Sequence, residues 1–170
     1  MRPQDDRRSP AGRLTRCALL CTIALTIFLA EAQLPAPVPI PGVKLGLANI
    51  VTVYAMYALG PADALMILLG RIFLGAVFSG QMMTLLYSLG GGLACYAGLL
   101  LLRRVLDRTQ LWLCSPLSAL CHNLGQLLTA AAVMRTWAVT AYLPWLVLSG
   151  ILSGLFTGVC AQLLVRRLER

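Results

Sequence analysis

Few side chains in this sequence could bind a ligand or transfer a proton, and those that could lie within apolar segments. Arg71 falls near the middle of one such segment, where a charged side chain costs about 2.5–3.5 kcal/mol to insert and must face protein or water. Glu31 and Asp63 lie near segment ends, so no intramembrane carboxylate is obvious as its partner. Arg71 is therefore either a counter-charge for an anionic ligand or an internal strut bonded to the backbone.

A second polar group follows helical spacing between residues 115 and 129. Ser115, Ser118, His122, Gln126 and Thr129 are three or four residues apart, so they share one helix face. In lipid this face must turn inward, because unsatisfied donors there cost several kcal/mol. It predicts either hydrogen bonds between helices or a wall of a ligand site. His122 is the single histidine and has no Ser/Asp or metal-ligand companions, so we expect no catalytic and no metal-binding residue.

A proline-rich stretch over 35–41 leads into Lys44 and Asn49. Each proline fixes φ and removes a backbone donor, so the stretch is predicted to be extended rather than helical. It ends in a lysine, two glycines and an asparagine next to an apolar run. This pattern predicts an ordered loop that acts as a lid or mouth for a small-ligand site. Asn49 could use its amide at that junction or bond a neighbouring helix.

The composition is that of a polytopic membrane protein. Hydrophobic residues make up 59%, charged residues 12%, and the mean hydropathy is +0.81, whereas soluble chains carry about 25% charged residues. The net charge of +8 comes from basic residues that flank apolar segments, which indicates topology rather than nucleic-acid binding. Six cysteines show no CxxC or zinc spacing and are interpreted as apolar packing residues.

We predict an all-α integral membrane protein that forms one bundle of six transmembrane helices. The spans are predicted at about 14–30, 44–59, 62–78, 82–102, 116–134 and 145–165, between a disordered basic tail over 1–13 and a basic end over 166–170. The second span is short, because sixteen residues rise about 24 Å against a hydrocarbon core of about 30 Å. Glycines at 90–92 and at 150, 154 and 158 predict close helix packing, although the first group could also admit a ligand.

The first span has two interpretations. Arginines precede it and Ala30-Glu31-Ala32 resembles a cleavage site, as in a signal peptide. A retained helix is favoured by small residues spaced four apart, which let another helix approach closely. These residues are Ala18, Thr22, Thr26 and Ala30.

The basic residues are distributed asymmetrically between the two sides of the predicted bundle. One side carries Arg2, Arg7, Arg8, Arg13, Arg16, Arg103, Arg104, Arg108, Arg166, Arg167 and Arg170. Lys44 and Arg135 lie on the other side. Because positive charge marks the cytoplasmic side, both termini are predicted to be cytoplasmic. We expect the bacterial cytoplasmic (inner) membrane as the location.

Several motifs together resemble a known family. PGVKLGLANI over 41–50, Arg71 in a glycine-flanked helix, SLGG over 88–91 and SALCHNLGQ over 118–126 are similar to the Gx transporter family. That family is also labelled heptaprenyl diphosphate synthase component I, and the resemblance covers about 14–165. It is similar to the substrate-binding S components of energy-coupling-factor (ECF) importers. Those are six-helix bundles that hold a ligand towards the outer side under a loop.

The resemblance implies an S component that binds a small metabolite, and Lys44 and Arg71 favour a negatively charged one. It implies docking of an ECF transmembrane coupling subunit on the small residues of the first helix, with ATP hydrolysed by partner ATPases and no cofactor bound directly. The implied ligand-binding residues are Lys44, Asn49, Arg71, His122, Asn123 and Gln126.

The enzyme label gives an alternative: a membrane accessory subunit of a heptaprenyl or polyprenyl diphosphate synthase in isoprenoid quinone biosynthesis. Prenyl chain elongation needs paired aspartates with DDxxD spacing to hold magnesium and diphosphate. Here Asp5-Asp6 stands alone in the basic tail. We therefore expect the chain not to be the catalytic subunit. A purely structural bundle or membrane anchor is the third hypothesis.

Overall fold

The computed structural model describes residues 9–33, 44, 46–80 and 82–168. These residues form six α-helices and two short 3₁₀ helices, with no strand among them, which confirms the all-helical prediction. The α-helices are α1 (Pro10–Glu31), α2 (Asn49–Ala58), α3 (Pro61–Ser79), α4 (Met82–Leu102), α5 (Leu111–Met134) and α6 (Leu143–Leu168). The 3₁₀ helices are Arg108–Gln110 and Trp137–Tyr142. The predicted proline-rich lid over 35–41 lies outside the described residues, as do most of the basic tail and Arg170.

Five of the described helices are long and apolar enough to cross a membrane: α1, α3, α4, α5 and α6. Their outward faces carry large apolar side chains, and Phe73, Phe78 and Phe156 are 63%, 66% and 66% exposed. Such faces suit hydrocarbon rather than water, because soluble proteins rarely expose contiguous apolar surface on this scale. The chain is therefore a multi-pass membrane protein.

The second predicted span differs from expectation. It is α-helical only over Asn49–Ala58, ten residues that rise about 15 Å. Gly46 (φ +80°) and Gly60 (φ +112°) adopt left-handed backbone conformations at its two ends, and Pro61 then begins α3. Seven of the ten helical residues are buried, so α2 lies inside the bundle rather than against lipid.

Two contacts show that residues 46–63 run antiparallel to α1. The Glu31 carboxylate, at the end of α1, accepts a hydrogen bond from the backbone N–H of Gly46. Arg13, near the start of α1, donates from Nε to Asp63 Oδ1 at 2.7 Å. The segment that contains α2 thus covers the depth of α1 between these residues, about 27 Å. The count of six spans remains a prediction, because the ten residues of α2 are too few to cross a membrane as a helix.

Most of the described arginines gather at one end of the bundle. The Tyr57 hydroxyl, near the end of α2, donates to the carbonyl of Leu106 at 3.3 Å. The Gln162 amide, near the end of α6, donates to the carbonyl of Arg108 at 2.9 Å. This end includes Arg13, Arg103, Arg104, Arg108, Arg166 and Arg167. Arg135 follows α5 at the opposite end, in agreement with the predicted charge asymmetry.

Glycines set the close packing of α5 against α4 and α6, its two most extensive neighbours. A Cβ on Gly91 would lie 2.9 Å from the carbonyl oxygen of His122, and one on Gly158 would lie 2.9 Å from the Cβ of Ser115. Real Cβ atoms do not approach this closely, so the backbones of these helices meet only because side chains are missing. The packing role predicted for both glycine groups is confirmed.

Candidate functional site

Five of the six predicted ligand-binding residues are almost fully buried, and Lys44 is partly buried. Their exposed fractions are 5% for Asn49, 3% for Arg71, 3% for His122, 3% for Asn123 and 1% for Gln126. Four of them come from three different helices and meet inside the bundle. We call Asn49, Arg71, His122 and Gln126 the buried polar cluster.

Asn49 links α3 to α5 within this cluster. Arg71 Nη2 donates to Asn49 Oδ1 over a long distance of 3.5 Å. A Cβ on Gly46 would lie 2.8 Å from Asn49 Nδ2 and 3.2 Å from His122 Nε2, so both side chains press against the backbone at Gly46. The start of α2 therefore covers one side of the cluster, and only glycine fits there.

Gly91 of α4 bounds the cluster on another side. A Cβ at this position would lie 2.6 Å from Gln126 Cγ and 2.9 Å from His122 Cε1. The α4 backbone thus lies directly against both side chains. Gln126 is four residues beyond His122, which places it about 6 Å further along α5 on the same face.

Several buried side-chain atoms have no hydrogen-bond partner among the described residues. They are Asn49 Nδ2, Arg71 Nε, His122 Nδ1, Asn123 Oδ1 and Gln126 Oε1. An unsatisfied buried polar atom costs about 1–3 kcal/mol, and native proteins contain few of them. Every one of these atoms belongs to a residue predicted to bind ligand. Four of the five lie in the buried polar cluster, which therefore holds unpartnered donors and an acceptor.

Asn123 points in a different direction. Its Nδ2 donates to the carbonyl of Leu146 at 2.6 Å and faces Gly150, so the amide ties α5 to α6. Ser115 and Thr157 also join these helices through a 2.9 Å hydrogen bond between their hydroxyls. The interpretation as hydrogen bonds between helices is therefore confirmed for Ser115 and Asn123. His122 and Gln126 belong to the cluster, and their place in a ligand wall stays a prediction.

Two cations share one aromatic ring beside the cluster. Lys44 Nζ lies 3.6 Å from the centroid of the Phe28 ring, and Arg71 Cζ lies 5.9 Å from the same centroid. The ring face attracts both cations. Gly75 makes room for the ring, because a Cβ there would lie 2.7 Å from Phe28 Cε1. Sequence reasoning missed Phe28, since an aromatic residue in an apolar helix carries no signal by itself.

Glu31 is the second missed residue, and its position corrects the expectation that Arg71 has no carboxylate nearby. Glu31 is only 5% exposed. Its Oε1 accepts from the N–H of Gly46 at 2.6 Å and its Oε2 from the N–H of Leu47 at 2.9 Å. Its negative charge acts on both Arg71 and Lys44.

Lys44 lies in the connection between α1 and α2, at the edge of the cluster. Partial burial lowers the pKa of its ammonium group, and Arg71 adds repulsion in the same direction, while Glu31 opposes both effects. Lys44 is the single lysine of the sequence. Its side chain is therefore a unique lysine amine through which the site can be probed chemically.

The predicted docking residues on α1 form an exposed stripe on the outside of the bundle. Ala18, Thr22, Thr26 and Ala30 are all exposed. The two hydroxyls bond back within the helix, from Thr22 to the carbonyl of Ala18 and from Thr26 to that of Thr22, both at 2.9 Å. The stripe is thus smooth and presents small side chains, while the opposite face of α1 carries Phe28 and Glu31.

Fold and site together define the chain as a multi-pass, all-helical membrane protein with a cationic polar cluster enclosed by its helices. A family model described as heptaprenyl diphosphate synthase component I matches residues 20–164, and the chain belongs to that family. The matched region contains every residue of the buried polar cluster. No curated protein and no solved structure matches the chain.

Proposed function

We propose that this protein is a non-catalytic membrane component that binds one small anionic ligand in the buried polar cluster. The observation that supports this most directly is the set of unpartnered buried atoms beside two cations. Burying polar groups without partners is costly, so a protein that keeps four of them together has a use for them.

The chemistry of these atoms indicates how the ligand is oriented. Arg71 Nε and Asn49 Nδ2 are donors and lie at the side of the cluster nearest the cations, where an anionic group would accept from them. Gln126 Oε1 is an acceptor further along α5 and suits a hydroxyl or N–H of the ligand. His122 lies between the two ends and can supply either a donor or an acceptor at Nδ1.

The family description favours one assembly for such a component. In this proposal the protein is the membrane accessory subunit of a heptaprenyl or polyprenyl diphosphate synthase in isoprenoid quinone biosynthesis, located in the bacterial cytoplasmic membrane. A separate subunit supplies the aspartates that hold magnesium and diphosphate, because the only adjacent aspartates of this sequence are Asp5 and Asp6 in its basic tail.

The site geometry favours a second candidate, the S component of an ECF-type importer. An enclosed polar cluster at one level of the bundle and an exposed stripe of small residues on α1 are what such a subunit requires. In this case the stripe contacts a transmembrane coupling subunit, partner ATPases hydrolyse ATP, and the basic end faces the cytoplasm.

Ligand binding can be tested on the purified full chain in lipid nanodiscs. Mass spectrometry of the denatured sample identifies any small molecule that copurifies. Arg71→Ala and His122→Ala are expected to lose that molecule, whereas Arg103→Ala, at the basic end, retains it. Retention by both cluster variants at wild-type levels would refute the proposal.

A second experiment separates the two assemblies. An accessory subunit copurifies with a soluble prenyltransferase and raises its rate of chain elongation. An importer subunit copurifies with ATPases and supports ATP-dependent uptake of the molecule found by mass spectrometry. Copurification with ATPases and no effect on a prenyltransferase would overturn the synthase assignment.

A further inference from the structure

We infer that Glu31 is a positioning residue that closes the ligand site by fastening the start of the α2 segment to the end of α1. The inference rests on the proposed function for what the site holds, but the fastening itself involves only this chain. It goes beyond the residues expected to contact ligand, because Glu31 acts through the backbone of Gly46 and Leu47.

Both oxygens of the carboxylate are used. Oε1 accepts from the N–H of Gly46 at 2.6 Å and Oε2 from the N–H of Leu47 at 2.9 Å, across 15 and 16 residues of chain. Both hydrogen bonds lie in a nearly fully buried place, where the low local dielectric makes a hydrogen bond stronger than it is in water. The carboxylate therefore determines where the backbone of these two residues lies.

The fastened backbone lies directly on the cluster. A Cβ on Gly46 would be 2.8 Å from Asn49 Nδ2 and 3.0 Å from His122 Cδ2, so no space separates Gly46 from these side chains. Releasing Gly46 would uncover Asn49 Nδ2, which has no partner, and the Nε2–Cδ2 edge of the His122 ring. Closure of the site on this side is thus a direct consequence of the Glu31 hydrogen bonds.

The end of α1 holds the same connection at a second point. Phe28 is three residues before Glu31, nearly one helical turn, and both side chains are buried. Lys44 rests on the Phe28 ring at 3.6 Å, while Gly46 and Leu47 bond to Glu31. One turn of α1 therefore attaches the connection on both sides of residue 45, and displacing this turn would release both attachments together.

Hydrogen–deuterium exchange of the purified full chain in mild detergent tests the inference. Loss of one or both acceptor oxygens in Glu31→Gln and Glu31→Ala should increase exchange of the Gly46 and Leu47 amides about 10- to 100-fold. Glu31→Ala should give the larger effect. Peptides from α4, α5 and α6 should exchange as in the wild type. Acylation of Lys44 by an amine-reactive reagent should also become faster, because the released connection no longer holds its ammonium group on the Phe28 ring. The modified side chain is assigned easily, since Lys44 is the single lysine.

The matched control is Asp63→Asn. It removes the ion pair with Arg13 at the opposite end of the same antiparallel pair of segments, so it perturbs the same two segments without removing a hydrogen bond to Gly46 or Leu47. Exchange at Gly46 and Leu47 is expected to stay at the wild-type rate in this variant. A local effect in the Glu31 variants alone would separate positioning from a general loss of stability.

Two results would overturn the inference. One is an unchanged exchange rate at Gly46 and Leu47 in folded Glu31→Ala protein. The other is a uniform rise across all helices in both the Glu31 and Asp63 variants, which would assign Glu31 a merely structural role. If the wild-type protein retains no small molecule and the Glu31 variants still show the local exchange effect, the closure is supported and only the ligand proposal is refuted.

Discussion

Replacing Arg71 with methionine should stabilise the ligand-free protein and weaken ligand binding. The structure gives Arg71 one side-chain hydrogen bond, to Asn49 Oδ1 at 3.5 Å, and leaves its Nε without a partner. Methionine fills a similar space with a flexible apolar chain. The variant loses one weak hydrogen bond, about 0.5 kcal/mol, and the distant cation–π contact with Phe28, about 0.5 kcal/mol, and it removes an unsatisfied buried donor that costs about 1–3 kcal/mol. The free energy of unfolding should therefore rise by about 1 kcal/mol.

Binding should change in the opposite direction. An anion in the cluster would accept charge-assisted hydrogen bonds from Arg71, and such bonds contribute about 1.5–3 kcal/mol. Their loss corresponds to a dissociation constant about 10- to 150-fold higher. Glu31 keeps its two backbone donors and the nearby Lys44 in the variant, so the site itself should persist.

The two quantities can be measured on the same preparation. Denaturant unfolding in mild detergent gives the stability, and titration of the copurified molecule gives the affinity. Arg104→Met serves as the control, because Arg104 is exposed at the arginine-rich end of the bundle and should alter neither quantity. Destabilisation by about 3–5 kcal/mol in Arg71→Met, the loss typical of a broken buried ion pair, would show that Arg71 is a structural strut.

Three further outcomes are expected. Gly91→Val should cost about 1–3 kcal/mol of stability and displace His122, which reduces ligand retention. Ala97→Val, on the exposed side of α4, should do neither. Equal ligand retention in both variants would contradict the site geometry. Thr22→Trp should leave thermal unfolding within about 0.5 kcal/mol of the wild type but abolish copurification of a partner, and an intact complex would exclude this docking stripe. Gln162→Leu should destabilise the protein by about 1–3 kcal/mol in a thermal melt. The Gln162 amide of α6 bonds both the N–H of Leu111, at the start of α5, and the carbonyl of Arg108 just before it. An unchanged melting temperature would show that water replaces the amide.

The sequence predicted most of the cluster because hydrocarbon makes polar residues conspicuous. Arg71 and His122 stand out in apolar segments, and the physical cost of exposing them to lipid leaves only the interior. That these two residues meet around Asn49 and Gly46 was not predictable in detail, since it depends on the approach of three helices. Asn123 was predicted together with these residues, but its amide donates to the carbonyl of Leu146 in α6 and does not join the cluster.

The contacts of Glu31 and the bounds of α2 could not be predicted from the local sequence, and the reason is the same for both. An acidic residue at the end of an apolar segment ordinarily lies at the membrane surface, and nothing near Glu31 shows that Gly46 and Leu47 return to it. Hydropathy likewise predicts one span from 44 to 59, although the backbone is left-handed at Gly46, inside this range, and at Gly60, just after it. Glycine permits that conformation, but whether it is adopted depends on distant contacts.

The position of the cluster has a consequence for how the protein is assembled. Asn49 and Arg71 belong to the first three helices, and His122 and Gln126 belong to the last three. A bound ligand would therefore contact both halves of the bundle and hold them together. A ligand present at 100 times its dissociation constant adds about 2.7 kcal/mol to stability. Cargo would then also act as an assembly factor, and cells starved of it should accumulate less of the protein.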